Sequence, residues 1–146
     1  MCGSINLLTE MHAARSHYQK AYGEDLSPEV LFAMVTSAPA RAFRLPGGEL
    51  AAGRAADLLI LKSRHPHPME ALVSAGLPDV FLVVHAGAPV YGDESLEAVF
   101  TGLGVIFDRV EVQGTRKLVA GGFRALMDGL VRTLGGLRRF DFLPVS

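Results

Sequence analysis

A single cysteine, no tryptophan and only three tyrosines leave this 146-residue chain short of several chemistries. The lone Cys2 excludes an internal disulfide and fits a reducing compartment, so a cytoplasmic location is expected. Cys2 also lacks a paired histidine and lies at a chain terminus, where it is not read as a nucleophile. No apolar run reaches the roughly 18 residues that a membrane span requires. The N-terminus has no basic-then-apolar targeting pattern either, and no membrane partner is expected. The glycines of Gly102-Leu103-Gly104 and Gly121-Gly122 do not match a phosphate-cradling spacing and read as turns.

Net charge is also slight, at −1, but it is unevenly distributed. Residues 1–108 hold seven basic and twelve acidic side chains, and residues 109–139 hold seven basic and two acidic. The basic stretch has no aromatic interleaving and no nucleic-acid motif. It is read as a solvated helix face or a patch for an acidic neighbour, and no nucleic-acid partner is expected.

What the chain does have is apolar surface. Apolar residues make up 49% of it and mean hydropathy is +0.29, rich for a domain of this size. Part of that surface is expected to be covered by more protein.

Apolar residues at helical spacing (Ile5, Leu8, Met11, Tyr18) predict a helix over Ser4 to Tyr22, ended by a left-handed Gly23. Ser27-Pro28-Glu29 is a helix start: serine caps free amides, proline suits the first turn, and glutamate complements the dipole. Pro39 is expected to break this helix and begin a shorter one through Phe43, which Pro46-Gly47-Gly48 ends. The continuous run through Asp57 to Leu61 predicts a buried strand over Ala56 to Leu61. A short helix over Met69 to Ala75 follows.

Val80 to His85, turning at Ala86-Gly87 into Pro89 to Tyr91, reads as a hairpin. A short helix from Glu94 to Thr101, capped by Asp93, separates it from a second hairpin. That one pairs Val105 to Val112 with Arg116 to Val119 through Gln113-Gly114. Phe123, Leu126, Met127, Leu130 and Leu134 line a last helix, ended by Gly135-Gly136. The order is helices, then hairpins, then a helix. That predicts an α+β fold with a small β-sheet of hairpins flanked by helices, not a regular strand–helix alternation.

One segment is more specific. Thr36, Pro39-Ala40-Arg41-Ala42, Gly47-Gly48 with Leu50, and Gly53-Arg54-Ala55-Ala56-Asp57-Leu58 occur in that order. Gly53 permits a tight turn, and Asp57 at the strand start can accept hydrogen bonds from turn amides. This succession resembles the ending of the amidohydrolase superfamily of metal-dependent hydrolases. Val83 to Gly92 and Val110 to Arg116 resemble its two C-terminal hairpins. Asn6 to Met11 resembles the helix after the last barrel strand in the deaminase and chlorohydrolase branch.

The resemblance spans residues 4–120 and implies the C-terminal portion only: residues 1–46 as terminal helices of a barrel-type domain, 47–120 as part of a composite β-sandwich with hairpins, and 121–146 as a C-terminal helix and tail. The TIM-like barrel would be mostly absent. So would its metal ligands, a His-x-His pair, further histidines and an aspartate, all of which lie upstream of the matched segment in the family. The resemblance therefore implies zinc or another divalent metal in the full-length family, and no cofactor, catalytic residue or metal ligand in this chain.

Other residues offer little to replace them. His65-Pro66-His67 has the spacing of a zinc pair. It follows the wrong strand for the family, however, and no cluster of histidines or carboxylates nearby completes a site. His12 and His17 would point about 140° apart on a helix, and His85 falls at a hairpin turn.

Three readings follow. The first is a fragment of an amidohydrolase acting on C–N or C–Cl bonds of small molecules, itself not catalytic and partnered by the missing barrel segment. The second is a non-catalytic module that self-associates, burying a sheet edge and apolar helix faces. The third is a small enzyme with a fresh metal site at His65 and His67.

Overall fold

The computed structural model describes residues 6–134. Helix α1, Leu7–Tyr22, begins later than its apolar spacing suggests, because Asn6 takes the cap position and accepts the Thr9 amide at 3.0 Å. Of the three residues by which the expected helix is longer, Asn6 is the cap and the other two lie outside the described residues. Gly23 ends the helix in the left-handed conformation, as expected (φ 73°).

Ser27 caps α2, Pro28–Val35, through the Val30 amide, and Pro28 occupies the first turn. Helix α3, Ser37–Phe43, begins before Pro39. The break between α2 and α3 falls at Thr36, whose φ of −126° and ψ of −89° are non-helical, and Pro39 sits in the first turn, where its missing amide has no bond to lose.

Strands β1 (Leu58–Leu61), β2 (Val80–His85), β3 (Ala88–Asp93), β4 (Phe107–Val112) and β5 (Thr115–Ala120) form one open sheet in the order β1-β2-β3-β5-β4. Every neighbouring pair is antiparallel. The fold is therefore α+β, a small sheet flanked by helices and not a closed barrel. Both hairpins turn through two left-handed residues: Ala86 (φ 48°) with Gly87 (φ 82°), and Gln113 (φ 49°) with Gly114 (φ 78°). That pair of positive φ angles matches the right-handed twist of the flanking strands.

Helix α4, Pro68–Ser74, lies between β1 and β2, and α5, Glu97–Gly102, between β3 and β4. A single 3₁₀ turn precedes each of β2 and α5, at Leu77–Asp79 and Glu94–Leu96, so the helix expected over Glu94 to Thr101 is two pieces. Asp93 caps the first piece through the Ser95 amide. Helix α6, Phe123–Thr133, closes the described chain; its expected end at Gly135-Gly136 lies outside the described residues.

The core forms where α1, α2 and α4 meet the sheet. Leu8, Met11, Leu31, Val73 and Val80 are buried together there, with Leu61, Val83 and Tyr91 packed against them. Burying each such aliphatic side chain favours folding by about 1.5–3 kcal/mol. Side chains alternate across a strand, so Val83 and its partner Tyr91 face this cluster while Leu82 and its partner Gly92 face the other way. There Phe100 of α5 is fully buried, meeting Phe107 edge-on at 5.6 Å between ring centres.

The buried strand expected at Ala56 to Leu61 is corrected. β1 is shorter, and it is an edge strand paired to β2 alone, with Leu59 47% and Ile60 43% exposed. A continuous apolar run signals two covered faces, and among the described residues nothing covers the second.

Candidate functional site

Asp57 ends the Gly53-to-Asp57 approach to β1, and its side chain braces a different turn. One carboxylate oxygen accepts the Ala86 amide at 2.8 Å and lies 2.9 Å from Nδ1 of His85. The Gly87 amide donates to the Ala56 carbonyl at 3.0 Å alongside. The aspartate therefore clamps the turn of the β2–β3 hairpin onto the start of β1. The Ala86 amide, assisted by His85 and opposed by partial burial, holds the Asp57 carboxyl below its ordinary range. His85 has the turn-stabilising place expected of it.

The sign of the resulting pH dependence is fixed by that depression. The stabilisation is present above the unfolded carboxyl range, near pH ~4, and disappears as pH falls through the folded value. We expect Asp57→Ala to lower the thermal midpoint by a few degrees at neutral pH. Thermal melts across an acid series should show the variant and parent converging toward low pH. Parallel curves at every pH would show that the clamp contributes nothing through its charge.

Among the described residues no cluster of metal ligands forms around the histidines. His65 and His67 rings are 5.6 Å between centres, but the Nδ1 of His65 accepts the His67 amide at 3.2 Å, an interaction that stiffens the loop. His12 and His17 are both exposed on α1. Cys2 lies outside the described residues. Among the described residues no group of three or more His, Cys, Asp or Glu side chains is placed to hold a metal ion. The donor set present does not fit the divalent metal that the resemblance implies for the full-length family. Nor is any helix of the described chain long and apolar enough to cross a membrane.

Two charged arrangements escaped the reading of the sequence. Arg15 of α1 reaches Asp25 through two hydrogen bonds of 2.7 and 2.8 Å and Glu70 of α4 through two more of 2.7 and 3.1 Å, tying three segments with one guanidinium. Lys117 of β5 is fully buried, its ammonium donating to the carbonyls of Val80 (2.7 Å) and Pro78 (3.0 Å) and lying 3.4 Å from Asp93. Lys62 reaches the same Asp93 oxygen at 2.6 Å, and Arg64 pairs with Asp79 close by. Beside this network, the hydroxyl of Tyr91 is buried without a hydrogen-bond partner, and burial pushes its pKa up to about 12. Lys62 and Lys117 share one carboxylate, and the network ties β1, β3 and β5 together.

A family model described as the amidohydrolase family matches residues 1–95, which takes in α1 through β3 and leaves α5, β4, β5 and α6 beyond it. No curated protein and no solved structure matches the chain.

Proposed function

The chain belongs to the amidohydrolase family, and from that premise we propose that it supplies the scaffold of a metal-dependent hydrolase while the residues that grip the metal lie in sequence it does not contain. The observation that supports this reading most is the uncovered apolar surface of α2, α3 and the loop after them. Val30, Phe32 and Met34 on α2 are exposed, and so are Phe43 (75%) and Leu50 (79%) further on. A solvated helix carries a polar outer face; α2 carries apolar side chains on its exposed side as well as its buried one. Residues 1–46 are then terminal helices of a barrel-type domain, 47–120 part of a composite β-sandwich, and 121–146 a C-terminal helix and tail.

The barrel segment is the partner these faces fit. The reaction served is hydrolysis of a C–N or C–Cl bond in a small molecule, in the cytoplasm. The metal would lower the pKa of a bound water there, held by residues other than those described here. A second reading, self-association, is favoured by one feature, the open apolar edge of β1.

The purified chain should retain no stoichiometric zinc by elemental analysis and should not hydrolyse amide, amidine or chlorinated substrates above background. It should bind an apolar-surface dye strongly. Turnover with bound stoichiometric metal would overturn the scaffold reading. A discrete dimer by light scattering that binds no dye would transfer the apolar faces to a second copy.

A further inference from the structure

We propose that the cleft between α3 and the loop after it is a binding site for a small ligand bearing a doubly charged oxyanion, a phosphate monoester or a dicarboxylate, gripped by Arg41 and Arg44.

The cleft is shaped by local backbone structure. Arg44 ends α3 in the left-handed conformation (φ 54°), and the next amide, that of Leu45, donates back to the Ala40 carbonyl at 2.8 Å. The chain then folds over α3 at Gly48 (φ 84°), so closely that a Cβ there would stand 2.6 Å from that of Ala40 and 2.7 Å from the Thr36 carbonyl oxygen. Only glycine permits both that angle and that approach. The result is a cleft of about 460 Å³, open to solvent and bordered by Ser37, Arg41, Arg44, Gly48, Glu49 and Arg54. Its size suits a small molecule.

The charges around it do not balance. Three guanidiniums meet one carboxylate, and that carboxylate, Glu49, is paired with Arg54 at 3.2 Å. Elsewhere among the described residues every arginine has work within the fold. Arg15, Arg64, Arg109 and Arg116 pair with carboxylates, and Arg124 and Arg132 bond backbone carbonyls. The guanidiniums of Arg41 and Arg44 alone among those of the described arginines have neither a hydrogen bond nor an ion pair.

Two uncommitted forks on one concave wall leave a surplus of two positive charges. The planar guanidinium matches a carboxylate or phosphate with two parallel hydrogen bonds, and a dianion satisfies both forks at once. Binding needs neither the barrel nor its metal, but the cleft, with exposed Leu45 on its rim, lies on the surface that the scaffold reading gives to the barrel segment, so it is tested on the chain alone.

Titration calorimetry of the full chain at constant ionic strength tests this, with glycerol 3-phosphate and succinate as separate probes. At least one should bind saturably, and the stronger of the two identifies the head group. Arg41→Ala with Arg44→Ala should weaken that binding by about tenfold or more, whereas Arg116→Ala, on the far hairpin, should leave it unchanged. Amide shifts on titration should localise to Ser37 and Gly48. The proposal is overturned if neither probe saturates, if the double variant binds as well as the parent, or if Arg116→Ala weakens binding equally.

Discussion

Phe100→Ala should lose about 3–5 kcal/mol of stability, the usual range for deleting a buried aromatic side chain, enough to leave much of a small domain unfolded at room temperature. The ring is fully buried and touches both layers it joins. It meets Phe107 edge-on, and its edge lies where a Cβ on Gly92 would stand 3.1 Å from Phe100 Cε2 and 3.4 Å from Leu82 Cδ1. A glycine opposite a phenylalanine indicates a fitted contact: the strand gives up a side chain so that the ring can reach the sheet. Alanine at position 100 leaves a cavity that the sheet cannot close, since β3 is held by neighbours on both sides. Urea unfolding followed by circular dichroism measures the loss. A change below about 1 kcal/mol would be the usual size of a surface substitution and would place Phe100 outside the core. Phe100→Leu, which refills much of the space, should recover most of the stability.

Some of this architecture is legible in the sequence because the signals are local. A hairpin turn that needs two positive φ angles requires glycine at its second position, so Ala86-Gly87 and Gln113-Gly114 are visible at once. Ser27-Pro28-Glu29 starts a helix by chemistry contained in three residues. The acceptor role of Asp57 was legible from its place before a strand, yet the amide it accepts belongs to Ala86, in a hairpin that only the folded sheet brings near.

What depends on strand order is not legible. Leu58 to Leu61 has the composition of a central strand and stands at the edge, because pairing partners are not written into the strand itself. The candidate cleft divides in the same way. Arg41 and the glycine pair at 47 and 48 are conspicuous as residues. That Arg41 and Arg44 lack partners is a property of where every carboxylate falls in the fold. Lys117 is the clearest case, since it sits in a basic stretch that reads as solvated. The strand carrying it lies between β3 and β4, with one face turned inward beneath the carbonyls of Pro78 and Val80.

That placement makes Asp93→Ala the second strongly destabilising substitution, at about 3–5 kcal/mol, because it strands a buried ammonium without its carboxylate. Asp93 is 17% exposed and Lys117 not at all. Lys117→Met should cost less, about 1–3 kcal/mol. It removes the charge along with its desolvation cost, and Asp93 keeps Lys62, leaving only two carbonyls short of a donor. The double variant should therefore be more stable than the two single losses added together.

The pH dependences separate the partners. Burial opposes ionisation of Asp93, but hydrogen bonds from Lys62 and Ser95 outweigh it and hold the carboxyl well below the usual range. Its stabilisation is present above the unfolded value, near pH ~4, and lost as pH falls toward the folded one. For Lys117 burial dominates and lowers the pKa, against the pull of Asp93. The unfolded lysine then holds its proton more tightly, and stability rises with pH from the folded value up to the unfolded one, near ~10.4. Unfolding by urea across an acid and an alkaline series should show Asp93→Ala flattening the acid limb and Lys117→Met flattening the alkaline rise. If both variants alter the same limb, the two charges do not act as the geometry requires.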